Sequence, residues 1–533
     1  MRRQKNYMMA GLATVVAIAG MLSACSDKKE ESPVNGGEQQ AEQSKQADPY
    51  ANLPKEVSVS MFDRGRVPAE EGSYEDNRWT KWINENSGID VKWIPVPRNT
   101  AQEKLNVLVA ANEAPDLIWE YDRNYIALLA SQGAIQPIDS YIEKYSTSYK
   151  KYLSEHPELK PYVTIDGKMY AVASERGIDT IANQGMWIRK DWLDKLGLSM
   201  PKTEEELLNV AKAFAEKDPD GNGKDDTIGF AFNSKFTSYF AAMYASRPDT
   251  WYLDDGKLQL GRLTDRYADT LAISKQLYDQ GMVDKEYITD KSYQRERQLW
   301  VTGKAGIYLG SWHMDSEYFD LKKNDPDAQP VPLEALTTKY GKNGLLQEAP
   351  ASMLIAFNKN MKNPKAAVEF LDWMLDNGWF TLKFGLEGVH HQKTNDAIQV
   401  IDAEKNKKEL DYAYEYPIVN QWSPKPDDIV KMAASDPASQ EYAKLKALGL
   451  ETAMKDRFRR DIPYAPSFPE LSQFLAEFNP KADEIDNQVI MGGPKFTPEW
   501  GAAELQKEWD RLNGESVWKQ VQEWYEQNKE SFN

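Results

Sequence analysis

The chain has 533 residues, a formal charge of −18 and a single cysteine. That length exceeds what one hydrophobic core serves, so two lobes or domains are expected. The lone cysteine excludes a disulfide framework, and the acidic balance argues against nucleic acid as a partner. The 16 tryptophans and 27 tyrosines will serve the core in large part, yet their number invites a search for stacking surfaces.

Residues 1–24 read as an export signal. Arg2, Arg3 and Lys5 precede an apolar run over residues 8–22. The run is shorter than the roughly twenty residues of a membrane span and ends in small residues. The tetrapeptide Leu22-Ser23-Ala24-Cys25 resembles the bacterial lipobox, which implies a mature chain beginning at a lipidated Cys25. It would then be held on the extracellular face of a Gram-positive-like cell membrane; the alternative is an ordinary signal with an incidental cysteine. No later stretch is apolar enough to span a bilayer. Residues 25–52 read as the lipidated cysteine and a flexible tether, since 26–48 are rich in Gln, Glu, Lys and Ser and lack aromatics.

The folded body begins near Pro54. Residues 56–62 (EVSVSMF) alternate as a strand does, 79–86 suit a helix, and 89–94 a second strand. Asn99 or Thr100 can cap a helix continuing through Leu105, Leu108 and Val109. Residues 114–119 read as a turn entering a strand, 165–172 as a hairpin turn entering another, and 186–189 as a strand. A short helix over 190–196 should close at Gly197. Thr203 and Glu206 form a capping box for a helix over 203–217, with Leu207, Val210, Ala211 and Phe214 on one face. Strands are expected over 228–232, 305–309 and 352–357. Asn363-Pro364 starts a helix expected to stop at Gly378. The last 130 or so residues read as largely helical. Strands alternating with helices indicate βαβ units and a mainly parallel sheet.

Four stretches in this order resemble the extracellular solute-binding proteins of family 1, which are similar to maltose-binding protein. They are 114–123 (APDLIWEYDR), 166–175 (DGKMYAVASE), 187–214 with its following loop, and 302–312 (TGKAGIYLGSW). Residues 352–374 resemble that family's return strand and helix. The resemblance implies a two-lobe α/β fold of the periplasmic-binding-protein type, with hinge strands and a helical C-terminal part. Lobe 1 is expected over 53–172 plus about 352–395, and lobe 2 over 173–351 plus about 396–533. It also implies a binding protein, expected to be monomeric, that captures a carbohydrate and delivers it to the permease of an ABC importer.

Residues 218–226 (DPDGNGKDD) carry oxygens at loop positions 1, 3, 5 and 9 through Asp218, Asp220, Asn222 and Asp226. Glycine stands at position 6, and the Lys224 carbonyl is available at 7. That is most of an EF-hand-type calcium loop, because Ca²⁺ takes six to eight oxygens and alternate residues can turn inward to supply them. The bidentate Glu of position 12 is missing, since Gly229 stands there, and Asp225 occupies a normally apolar place. The loop is similar to that of alginate-binding proteins in the same family, which implies a structural Ca²⁺. A solvated helix-to-strand turn is the alternative.

A sugar site needs aromatic faces beside polar groups. The resemblance puts a stacking Trp at Trp312, with core packing as the alternative, polar ligand contacts at Asp122 and Arg123, with a surface ion pair as the alternative, and an acidic ligand residue near the hinge at Glu175. Arg64, with Asp63 and Arg66, follows the first strand toward a cleft. Trp119, Tyr121, Trp251, Tyr252 and Trp422 are further aromatics, for each of which core packing is the alternative. Arg64, Arg66 and Arg123 together would favour an acidic sugar by bidentate pairing. The rival class is a secreted glycosidase or lyase, or a binder of another solute such as a peptide. Against an enzyme, no G-x-S-x-G, H-E-x-x-H or P-loop is present. The adjacent His390 and His391 lack the i, i+4 spacing that puts two metal ligands on one helix face.

Overall fold

The computed structural model describes residues 48–290, 293–394 and 397–532. The export signal, Cys25 and residues 26–47 of the tether lie outside the described residues. The contacts divide the chain after Ala51, and the body is Asn52–Asn533. No helix among the described residues is long and apolar enough to cross a membrane.

Among the strands and helices of the described residues, nine strands and ten helices frame the two sheets and the site. The strands are β1 (Glu56–Asp63), β2 (Asp90–Pro97), β3 (Leu117–Glu120), β4 (Ala171–Glu175), β5 (Gln184–Arg189), β6 (Ile228–Ala231), β7 (Ala305–Ser311), β8 (Pro330–Leu333) and β9 (Ala351–Phe357). The helices are α1 (Arg78–Ser87), α2 (Ala101–Ala110), α3 (Arg123–Ser131), α4 (Glu204–Glu216), α5 (Pro364–Trp373), α6 (Trp379–Phe384), α7 (Pro437–Lys455), α8 (Pro469–Met491), α9 (Pro498–Arg511) and α10 (Gly514–Asn528).

The first sheet runs β2-β1-β3-β9-β4. β1 pairs in parallel with β2 and β3, in the manner of βαβ units with helical crossovers, while β9 returns antiparallel to β3 and β4. The second sheet runs β8-β5-β7-β6, with β7 parallel to β6 and antiparallel to β5. Each sheet has its own core. Val57, Val59, Met61, Leu117, Ile355 and Phe370 belong to one, and Met186, Ile188, Leu207, Phe214, Ile307 and Phe478 to the other. The local signals explain the ends of the elements. Thr203 accepts from the Glu206 amide while Glu206 accepts from the Thr203 amide, closing the capping box of α4. Asn363 caps α5 with Pro364 at its first position.

The two lobes are joined by crossing segments that bond to each other. The Arg176 amide donates to the Pro350 carbonyl at 2.6 Å, and the Glu348 amide to the Ile181 carbonyl at 2.9 Å. A third connection leaves the first lobe at Asn420, whose amide donates to Ser174 Oγ at 2.8 Å. The expected boundary near residue 396 is corrected. Leu410, Tyr412, Ala413, Tyr416, Ile418 and Val419 pack in the first core, so the chain stays in lobe 1 until about Asn420.

Gly378 does not stop its helix. Residues Met374–Gly378 form a π-helical turn that carries α5 directly into α6. Gly378 has a right-handed φ of −68°, and a Cβ there would meet the Trp373 ring at 2.7 Å. The glycine therefore serves close packing, and the stop falls at Gly385 with φ of +74°.

One buried carboxyl gives the body a pH dependence. Glu296 is 4 % exposed and accepts from Asn233 Nδ2 at 2.5 Å. Burial pushes its pKa up to about 8, with the Asn233 hydrogen bond opposing. Below the ordinary carboxyl range both folded and unfolded states hold the proton. As pH rises toward 8 only the unfolded chain releases it, so stability falls through that window. Urea midpoints of Glu296→Gln should vary less between pH 5 and 8 than those of the parent; parallel profiles would refute this.

Candidate functional site

At the carboxyl end of β7, Ser311 leads into Trp312. The Trp312 backbone lies against Gly185 of β5 and Gly449 of α7, where a Cβ would meet its Cα at 2.7 Å and its carbonyl oxygen at 2.4 Å. Its indole donates to the Asp179 carbonyl at 3.1 Å. Trp422, on the third connection, donates its indole N–H to Asp179 Oδ2 at 3.2 Å. Both rings line a cavity of about 400 Å³ with Asp179, Ile429, Tyr442 and Lys446. The Lys446 ammonium stands 5.7 Å from the Trp312 ring and 3.6 Å from Asp315. His313 hydrogen-bonds Asp315 and is the main reason its carboxyl is held well below the usual range.

Lobe 1 carries two exposed aromatics, Tyr121 and Tyr414. Burial of their surroundings nevertheless pushes both phenols up, as expected of side chains in a concave surface. Tyr121 stacks on Phe62, and the Arg98 guanidinium lies over Phe62 at 4.5 Å and Tyr121 at 5.5 Å. Lys383, on α6, stands 4.7 Å from the Trp422 ring and 5.1 Å from that of Tyr414.

Several of the residues singled out from sequence are engaged elsewhere. Asp122 is the N-cap of α3, accepting from the Asn124 amide at 2.8 Å. Arg123 donates to the carbonyls of Pro161 and Thr164, and its guanidinium lies 3.5 Å from the Tyr464 ring centre. Burial depresses its pKa, and its donors are spent on the backbone. Arg64 pairs with the buried Glu415 at 2.7 Å. Trp119 is 1 % exposed in the first core, and Trp251 is 4 % exposed in the second. The expectation that these two tryptophans face a ligand is corrected, because sheet packing covers them. Glu175 Oε2 lies 3.4 Å from His156 Nδ1, which also bonds Glu158 at 3.1 Å. The ligand atoms of these three lie within 4.8 Å of one another.

In the Asp218 loop, Asp218 accepts from the Asn222 and Gly223 amides, and the Asn222 side chain bonds both Asp220 and Asp226. The oxygens are of the hard type Ca²⁺ takes. A Glu at position 12 is sterically barred, since any Cβ on Gly229 would meet the Ala211 carbonyl oxygen at 2.3 Å. The Lys304 ammonium bridges Asp220 at 3.2 Å and Asp226 at 2.7 Å, and it is the main reason the Asp226 carboxyl is held low. Asp218, Asp220, Asn222, Asp226 and the Lys224 carbonyl fit a calcium ion if Lys304 withdraws and water completes the shell.

The comparisons with known proteins agree with this architecture. Residues 69–379 match the bacterial extracellular solute-binding proteins. The chain belongs to that family. Its members bind solutes and are not enzymes. The chain is 27 % identical over 538 residues to the polygalacturonan/rhamnogalacturonan-binding protein YtcQ of Bacillus subtilis (strain 168), covering 97 % of this chain and 98 % of that one. Two solved structures share the fold. One is the S. pneumoniae ABC-transporter substrate-binding protein FusA, as an EF-hand mutant with fructo-nystose, with a TM-score of 0.62 at 20 % identity. It covers 89 % of this chain and 99 % of that one. The other is the alginate-binding protein AlgQ2 without calcium ion, with a TM-score of 0.61 at 20 % identity over 88 % of this chain and 98 % of that one.

Sequence pattern drew attention to Trp312 and, among other loop aromatics, to Trp422. It passed over Asp179, Tyr442, Lys446, Tyr414 and Lys383. Lys383 had a readable signal, an aromatic helix running on past Gly378, which the stop rule for glycine concealed.

Asp179→Ala should release the Trp422 indole while leaving the Trp312 bond to the backbone carbonyl. Acrylamide should then quench more of the tryptophan emission, and no such rise should occur in a Trp422→Phe background. An equal rise in both backgrounds would show that the Asp179 side chain does not hold this ring.

Proposed function

We propose that this solute-binding protein captures an oligosaccharide in the cleft around Trp312 and Trp422 and delivers it to an ABC importer. The observation that carries the reading is the pair of indoles lining one cavity and hydrogen-bonded to the same hinge residue, Asp179. Indole faces match the weakly apolar faces of sugar rings, and Asp179, Tyr442 and Lys446 offer partners for hydroxyls. The similarity to YtcQ, a polygalacturonan/rhamnogalacturonan-binding protein, and to FusA, solved with fructo-nystose, supports it. Closure of the lobes over the crossing segments would bury the sugar and present a closed form to the permease. The chain acts as a monomer in this reading, held at the membrane by lipid on Cys25. Among the other residues singled out, Tyr121 supplies a further aromatic face of the same cleft.

The Asp218 loop holds a structural Ca²⁺ in this reading, through Asp218, Asp220, Asn222, Asp226 and the Lys224 carbonyl. Its role is to tie the end of α4 to β6, far from any bond-making chemistry.

A thermal-shift screen against neutral and acidic oligosaccharides tests the binding reading. A ligand at a hundred times its dissociation constant adds about 2.7 kcal/mol of stability. Trp312→Ala should lower the affinity at least tenfold, about 1.4 kcal/mol; because the ring is only 5 % exposed the variant should also melt lower, so its affinity is measured well below its own melting transition. Products appearing from the sugar, or no shift with any sugar, would refute it. Chelation should lower the melting temperature of the unliganded protein, reversibly with added calcium. An Asp220→Ala, Asp226→Ala variant should show no such response, and a parent indifferent to chelator would remove calcium from the loop.

A further inference from the structure

The three arginines whose positions suggested an acidic ligand are already committed. Arg64 is paired with Glu415, Arg66 lies 4.0 Å from Asp411, and Arg123 donates to backbone carbonyls. Arg176 is spent in the same way on the carbonyls of Ala349 and Ala351. Lys446 has Asp315. Arg98 has no carboxylate partner among the described residues either, but it is exposed to water. Lys383 differs in being partly buried. Its side chain is half-buried, and among the described residues no carboxylate lies within ion-pair distance of its ammonium. Its surroundings are three aromatic faces, Trp422 at 4.7 Å, Tyr414 at 5.1 Å and Phe384 at 5.8 Å. Burial depresses its pKa, and the more distant Asp179 opposes this only through space.

An ammonium stripped of water and left without an anion is unfavourable, and cation–π attraction returns only part of the lost hydration. The ring beneath it is Trp422, which also lines the proposed sugar cavity. A pyranose stacked on that wall would bring a ring substituent toward the ammonium, and the substituent that offsets the desolvation is a carboxylate. We propose that Lys383 is the carboxylate-binding residue of the cleft and selects uronic-acid oligosaccharides over neutral ones. The inference rests on the reading of the cleft as a carbohydrate site. It adds the charge of the ligand and the residue that reads it.

The test is calorimetry on the purified protein with four probes of matched length. These are oligogalacturonate, oligomannuronate, the methyl ester of the oligogalacturonate, and a neutral galacto-oligosaccharide. At least one uronate should bind ten times or more as tightly as the ester and the neutral sugar. Lys383→Met should bring the uronate and its methyl ester to equal affinity, the ratio being read within the variant, and Lys383→Arg should keep most of the preference. A general loss of folding would instead lower all four affinities together, so the neutral probe serves as the control. Equal affinity for acid and ester in the parent, or a preference that survives in Lys383→Met, overturns the assignment and leaves the sugar reading intact. Failure of all four probes, with the parent folded, overturns both.

Discussion

Asp179 joins the parts of the cleft. It sits on the short crossing turn Ile178–Ile181 and offers two acceptors, one to each of two indoles that come from different stretches of chain. The same turn receives a hydrogen bond from the opposite crossing segment through Ile181. One crossing residue thus holds both indoles, so the placing of the two rings in the cavity depends on the crossing segment itself.

Much of the scaffold was legible because its signals are local. The strand at Glu56, the capping box at Thr203 and the Pro364 start depend on neighbours within a few residues, and each stands where the pattern puts it. The site was less legible because its determinants are distant in sequence. Trp119 and Trp312 both stand at the carboxyl end of a strand, one in each sheet. Only the packing around them distinguishes a core ring from one that lines a cavity. Arg64 looked available until Glu415 was brought beside it from the far end of lobe 1, and Arg123 until Tyr464 was. Residues 410–419 are illegible for the same reason, since a helical, mixed-polarity segment carries no local mark of which core takes its Tyr412 and Tyr416.

Charge shows how far composition and site can diverge. The chain as a whole is strongly acidic, which keeps polyanions at a distance on average. Screening confines that repulsion to within about 8 Å of the surface at physiological ionic strength. At the cavity, Lys446 stands 5.7 Å from the Trp312 ring, and Lys383 stands 4.7 Å from that of Trp422. The overall sign of a binding protein thus constrains its encounters and leaves the choice of ligand to a few side chains.

The π turn at Met374–Gly378 separates two requirements that a continuous helix would bind together. Upstream, α5 is fixed in phase by Ala367, Phe370 and Leu371 against the first core. An extra residue in the turn advances everything downstream by about 100° around the axis. Loss of a single residue there would restore an unbroken α-helix but rotate α6 as a unit, swinging Leu382 out of the first core together with the Lys383 position. The turn thus lets one helix meet the same core at two phases, and no single deletion moves the lysine without also opening the core.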